Sequence, residues 1–302
     1  MQTNDVSTST TAEWSIQQRI ELDLKWTVTA GALVVADYWQ QQGVQAAACA
    51  GWRVPPVDEL FPFNDPNPWW LAKLRLGHYF EQVHASLLRA QPGVVIHALN
   101  YPLQTAGQTL GELDCLYRTA AGDAVHREVA VKYFLARKDS GDACDWVGTS
   151  KVDRLDLKLR KLANHQAQLS ILAHRQNAWP SSLPLPDRRE VLLLGAFFRH
   201  PSFIAWPDVV GPHAERGFWC DSDEFAEQGQ RQTWKCLHKP WWLSLEHRAQ
   251  APAFSAPEIA TIVAQAHRAL LVVSATTDDH PTLSGRGFVV PRGWASSTDS
   301  GG

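Results

Sequence analysis

Leu-Gly-Glu-Leu-Asp-Cys-Leu-Tyr (110–117), Thr-Ala-Ala-Gly-Asp (119–123) and Val-His-Arg-Glu-Val-Ala-Val-Lys-Tyr-Phe-Leu (125–135) are the stretch that decides the fold. Two strand-like runs flank a short turn containing Gly-Asp, which predicts a β-hairpin. Side chains alternate between the faces of a strand. Glu128, Ala130 and Lys132 therefore share one face, and Val125, Val129, Val131, Tyr133 and Leu135 share the other. On the first strand Glu112 and Asp114 lie opposite in direction to Leu113, Cys115 and Tyr117. A loop centred on Ala121 sets Asp114 directly across from Glu128, and cross-strand partners lie on the same face. The hairpin thus predicts two carboxylates and an ammonium clustered above a hydrophobic sheet, a candidate metal site. The competing expectation is that these charges form only the solvated side of the hairpin, where a Glu–Lys pair contributes a few tenths of a kcal/mol.

Working outward, a helix is expected from about Trp70 to Ala90, with Leu74, Tyr79, Phe80, Val83 and Leu87 on one stripe and Pro92-Gly93 as its stop. An apolar run at 94–99 reads as a strand. A polar loop at 137–150 leads to an amphipathic helix at 152–172, its inner stripe being Leu155, Leu159, Leu162, Gln166 and Leu169. After a Pro-rich connector at 180–187, strands are expected at 191–198, 216–220, 232–243 and 286–291, and a helix at 256–274. Helical stretches at 14–26 and 33–45 precede the whole. The division this predicts is a disordered tail at 1–12, an N-terminal helical region at 13–69, an α/β core at 70–172, a mixed region at 173–294 packed on that core, and a second disordered tail at 295–302.

Composition narrows the function classes. At 302 residues, with 45% hydrophobic and 20% charged residues, the chain can bury a substantial core. A formal charge of −3 supplies no global basic field, so a nucleic-acid partner would need a local patch. Five cysteines without a Cys-x-x-Cys pair do not suggest a disulfide framework. The start lacks a signal-peptide pattern, and no run reaches the roughly 20 apolar residues of a membrane span, so a cytoplasmic protein is expected. Phosphate-binding, dinucleotide-binding and serine-hydrolase Gly motifs are missing. Cys220, Cys236 and His238 lack the paired spacing of a zinc site. Fourteen tryptophans include the pairs Trp69-Trp70 and Trp241-Trp242. They suit either an irregular core or exposed stacking surfaces. Around the second pair, Arg231, Lys235, His238 and Lys239 interleave with Trp234, Trp241 and Trp242 as a basic-aromatic patch.

A helix carrying Glu81 in Leu-Gly-His-Tyr-Phe-Glu, a strand with Gly-Glu-Leu-Asp, a paired strand with Glu-Val-Ala-Val-Lys and a following helix together resemble the PD-(D/E)XK nuclease-like superfamily. From that string through Asp-Arg-Leu-Asp-Leu-Lys-Leu and His-Gln-Ala-Gln-Leu-Ser, most of the chain resembles a bacterial family, domain of unknown function 1853. The first resemblance, over about 70–170, implies an α/β fold whose central mixed sheet is flanked by helices, with N-terminal helical and C-terminal strand-rich additions. It also implies a Mg2+ site with Asp114 as ligand, Lys132 as electrostatic catalyst and Glu81 assisting. This chain departs from the pattern at Ala130, where the second acid is normally found. Glu128, one strand pitch of about 6–7 Å away on the same face, is the candidate replacement ligand. Lys158 and His165, with neighbouring Arg160 and Lys161, are candidate contacts to a phosphate backbone, and Gln166 or Gln168 to the site itself; the alternative is a solvated helix face. The leading expectation is Mg2+-dependent cleavage of DNA or RNA. The runner-up is an inactive nuclease-fold module that binds nucleic acid or protein, favoured by Ala130 and the acidic balance. A third is a carbohydrate or protein interaction module built on exposed tryptophans.

Overall fold

The computed structural model describes residues 15–60, 68–105, 107–275, 283 and 285–296. The expected tail at 1–12, and all but the first two residues of that at 295–302, lie outside them. The helices are α1 (Ile16–Thr29), α2 (Ala36–Gln41), α3 (Leu76–Arg89), α4 (Leu155–Asn164), α5 (Leu169–Arg175), α6 (Ser222–Gln228) and α7 (Ala256–Ala266). The strands are β1 (Gln45–Ala46), β2 (Val95–Thr105), β3 (Gln108–Arg118), β4 (Ala124–Ala136), β5 (Trp146–Val147), β6 (Arg188–Arg199), β7 (Glu215–Asp221), β8 (Trp234–Leu237), β9 (Ala253–Phe254), β10 (Leu270–Ser274) and β11 (Arg286–Val290). Among the described residues they form one mixed sheet, ordered β2-β3-β4-β6-β7-β11-β10-β8-β9, with β1 added to β6 and β5 to β4. A large central sheet flanked by helices is the α/β architecture that the element order predicts. None of the described helices is long and apolar enough to cross a membrane.

β4 sits between β3, antiparallel, and β6, parallel from Val125↔Arg188 to Leu135↔Phe198. Its odd-numbered residues Val129, Val131, Tyr133 and Leu135 pack with Leu24 of α1 and with Phe80 and Val83 of α3. Its even-numbered residues Ala130, Phe134 and Ala136 pack with Trp39 of α2 and with Leu155, Leu159 and Leu162 of α4. Where a strand is flanked on both edges and covered on both faces, as β4 is over Val125–Arg127, it lies in the interior, as in parallel sheets generally. This corrects the expectation of a solvated charged face: Glu128 has no solvent exposure. Where Lys132 faces Gly195 across the β4–β6 pair, a Cβ at 195 would lie 1.8 Å from the Lys132 carbonyl oxygen, and φ there is +132°. Only glycine fits that approach.

Three further expectations are corrected. The helix read at 152–172 is two, α4 and α5, broken at His165 (φ −125°, ψ −67°) with a 3-10 turn at Gln166–Gln168 between them. The helix read at 256–274 ends at Ala266, because His267 takes the left-handed conformation (φ 49°). Leu270–Ser274 then form a wholly buried strand between β11 and β8, where β-branched Val272 and Val273 are at home. Of 232–243 only Trp234–Leu237 is strand, and a turn carries the rest.

Candidate metal and phosphate site

The site occupies a gap along one edge of β4. β3 pairs with that edge only from Arg118↔Ala124 to Cys115↔Arg127, a register symmetric about Ala121. One more step brings Asp114 opposite Glu128. There the strands part, and the edge regains a strand partner only at Leu135↔Val147 of β5. Asp114 fills the first opening with its side chain: Oδ2 accepts a hydrogen bond from the Val129 N–H at 2.8 Å.

Glu128 is held from three sides. Its Oε1 lies 2.8 Å from Nε2 of His126 and its Oε2 accepts from Nε2 of Gln166 at 2.9 Å. The two carboxyl groups of Asp114 and Glu128 are close enough to share a hydrogen bond. Burial, and then the Glu128 charge, push Asp114 up to about 8. Burial likewise pushes Glu128 up to about 7, against the hydrogen bonds it receives. The pair therefore retains a proton near neutral pH, as closely spaced buried carboxyls do. Burial pulls His126 down to about 4, so its imidazole is neutral; it bridges Glu128, through Nε2, and the Ser170 hydroxyl, 3.2 Å from Nδ1. His126 precedes Glu128 by two on the strand, and that parity could have revealed it in the sequence.

In front of Asp114 lies a groove of about 610 Å3. Glu81, Asp114, Lys132, Asp153, Lys158, Gln166 and Lys239 are among its lining residues, with Thr149 and Ser150 at one side. Lys132 Nζ donates to Asp153 Oδ2 at 2.8 Å. Lys158, at the first turns of α4, is 3.4 Å from Oε1 of Gln166; burial first, and Lys132 second, pull its ammonium down. Glu81 Oε2 accepts from Nδ2 of Asn100 at 3.0 Å and sits 3.2 Å from Nδ1 of His78. The fold thus gathers Glu81, Asp114, Lys132, Lys158 and Gln166 around one groove, with Glu128 directly behind Asp114. His165 and Gln168 are not among its lining residues: His165 is exposed at the break after α4, while Gln168 donates to the Ala163 carbonyl and accepts from Arg189. Asp153 and Asn100 enter from a loop and an adjacent strand, and no local pattern in the sequence connects them to the hairpin. Lys239, a member of the basic-aromatic patch, arrives on a distant turn.

The donor set is one of hard oxygens, which suits Mg2+, Mn2+ or Ca2+. Among the described residues no three His, Cys, Asp or Glu groups stand together as a metal-binding cluster. A fully buried carboxyl beside a half-buried one that faces a groove nevertheless fits an ion that takes one or two protein carboxylates and completes its shell with water and phosphate.

Trp14 and the side chain of Trp69 lie outside the described residues; of the remaining tryptophans most are core. Trp39, Trp146 and Trp234 are completely buried or nearly so, Trp242 is 7% exposed, and Trp70 is 41% exposed. Trp241 packs edge-on to Tyr79. From the basic-aromatic patch, Lys239 and Trp242 reach the groove, with Lys239 Nζ 4.6 Å from the Trp242 ring centre, whereas Lys235 donates to the Ala251 carbonyl.

The family model described as a domain of unknown function, DUF1853, matches residues 22–290 of this sequence. No curated protein and no solved structure matches it.

Proposed function

The chain belongs to the DUF1853 family, and we propose that it is a divalent-metal-dependent nuclease of the PD-(D/E)XK kind that hydrolyses phosphodiesters of DNA or RNA. The observation that carries this reading is the pairing of Asp114 with Glu128 where β3 leaves β4, with Lys132 two pleats along the same β4 face and lining the same groove. Asp114 and Glu128 would hold Mg2+, which when bound neutralises phosphate charge and acidifies a water. Lys132 supplies positive charge toward the developing phosphorane, and its exchange from Asp153 to phosphate is inexpensive because that ion pair is partly solvated. Lys158 adds a second, partly desolvated cation. Gln166 and His126 fix the Glu128 carboxylate through hydrogen bonds to its two oxygens. Glu81, oriented by Asn100, borders the groove where it can orient water.

The second reading is a nuclease-like module that binds nucleic acid or protein without cutting it. Ala130 at the usual position of the second acid, and the complete burial of Glu128, favour it. The two readings separate in one assay. Wild type, Asp114→Asn and Lys132→Ala are incubated with single- and double-stranded DNA and RNA in Mg2+ or Mn2+. The nuclease reading expects metal-dependent cleavage reduced at least about 100-fold by either substitution. Absence of cleavage, or cleavage that both variants retain, leaves the binding module.

A further inference from the structure

The groove does not end at Lys239. A second chamber of about 450 Å3 adjoins it, and Thr149, Ser150, Lys239 and Trp242 line both. Its far wall is made by His238, His267 and Arg268. The sheet explains why these residues meet. β8 and β10 are antiparallel with Leu237 opposite Leu271, so the turn after β8 and the turn before β10 emerge side by side. His267 in its left-handed conformation ends α7 there and leaves its own side chain and that of Arg268 exposed. Thr149 and Ser150 arrive from the turn after β5 and add hydroxyl groups.

The two chambers differ in charge. The first mixes Lys132, Lys158 and Arg75 with Glu81, Asp114 and Asp153. The second has Lys239, Arg268, His238 and His267 and no Asp or Glu among its lining residues. In a chain of net charge −3, a concave surface whose charged lining residues, Lys239 and Arg268, are both cationic is a local anion site. Its volume is in the range of about 300–1,000 Å3 typical of small-molecule sites, which admits a nucleotide or two and not a duplex.

Resting on the nuclease reading of the neighbouring groove, we infer that the second chamber is a backbone subsite for single-stranded nucleic acid, seating the phosphates of the strand that leads away from the scissile bond. Lys239, between the chambers and stacked over Trp242, marks the path from one to the other. Phosphate recognition falls to the ammonium, guanidinium and hydroxyl groups of the walls, while Leu237, Trp242 and Leu271 give the chamber an apolar side against which a sugar or base can rest.

The test uses full-length Asp114→Asn protein in EDTA, so that the probe stays uncut whatever the protein's activity. Binding of a fluorescent oligothymidylate of about 12 nucleotides is measured by anisotropy over a range of salt. Binding is expected to weaken with salt, by about 0.7 in log–log slope for each phosphate contacted. Adding Arg268→Glu is expected to weaken it about tenfold at low salt and to reduce the slope by about 1. His238→Glu, on the opposite wall, is a second variant in case the first perturbs folding, which circular dichroism checks, and it is expected to act in the same direction. Affinity and slope unchanged in both variants would overturn the subsite, as would no binding, or equal displacement of the oligonucleotide by polyglutamate. Failure to cleave in the earlier assay leaves this result untouched, whereas cleavage by wild type with neutral Arg268→Glu and His238→Glu binding would remove the subsite alone.

Discussion

Arg127 and Glu128 are neighbours on β4 and point to opposite faces, so this strand separates two buried groups of charge. On the odd face Arg127 grips Glu190 through Nε at 2.8 Å and Nη2 at 2.6 Å, and Arg188 takes the other oxygen at 2.9 Å. Tyr117 donates to the same carboxylate, and the rings of Trp52 and Tyr117 flank the guanidinium at 5.1 and 5.2 Å. Burial alone would raise Glu190, yet Arg127 and Arg188 hold it below its usual value. On the even face Glu128 meets Asp114, a group of the same sign, and both are raised. Burial is common to the two groups; what differs is how closely the opposite charge is held, because Lys158 acts on both carboxyls of the even face yet leaves them raised. The odd-face group is complete within the fold. The even-face pair retains a proton near neutral pH, and it is the one that opens on a groove. Perturbed carboxyls beside a groove mark a candidate functional site.

This contrast can be broken by substitution. The largest effect is expected on the odd face: Arg127→Met leaves Glu190 buried with Arg188 as its remaining cation, and should cost about 3–5 kcal/mol in urea denaturation. A cost below about 1 kcal/mol would mean that the two faces do not differ in the way described. The even face should respond with the opposite sign. Asp114 and Glu128 titrate in the folded protein at about 8 and about 7, above the unfolded values near 4. Their contribution to stability is full below about pH 4 and is lost as pH rises through the folded values. Asp114→Asn keeps an acceptor for the Val129 N–H and removes the repulsion. In EDTA at about pH 8 it should be more stable than wild type by about 1–3 kcal/mol, with the difference vanishing near pH 4. A variant less stable than wild type at both pH values would put Asp114 in the same class as Arg127. The smallest effect is expected at Asp153, whose pair with Lys132 is partly solvated: Asp153→Asn should change stability by less than about 1 kcal/mol. A larger loss would make Lys132 a structural residue fixed to Asp153.

The hairpin was legible in the sequence because its determinants are local. Gly122-Asp123 and the flanking alternation set a register symmetric about Ala121, and parity then placed Asp114, Glu128 and Lys132 on one face. The cover over that face was not legible. A charged alternation reads as solvated, and only β6, arriving some 60 residues later, and α4, packing above, convert it to interior. The break at His165 was hidden for a similar reason, since no Gly or Pro marks it and Leu169 continues the helical stripe. The break nonetheless matters to the site, because the turn it creates carries Gln166 to Glu128. The division of 256–274 into helix and strand rests on one left-handed histidine that sequence periodicity does not register. The partners Asp153 and Lys239 are set by tertiary packing, not by spacing.

The central claim is that Asp114 and Glu128 form a cation site held partly protonated in its absence. Calorimetric titration with Mn2+ near pH 7, repeated in buffers of different ionisation enthalpy, tests it most directly. The prediction is binding at one site with release of about one proton per ion, because the ion displaces the proton the carboxyl pair retains, and loss of both signals in Asp114→Asn. Absence of binding, or binding without proton release that persists in Asp114→Asn, would contradict it.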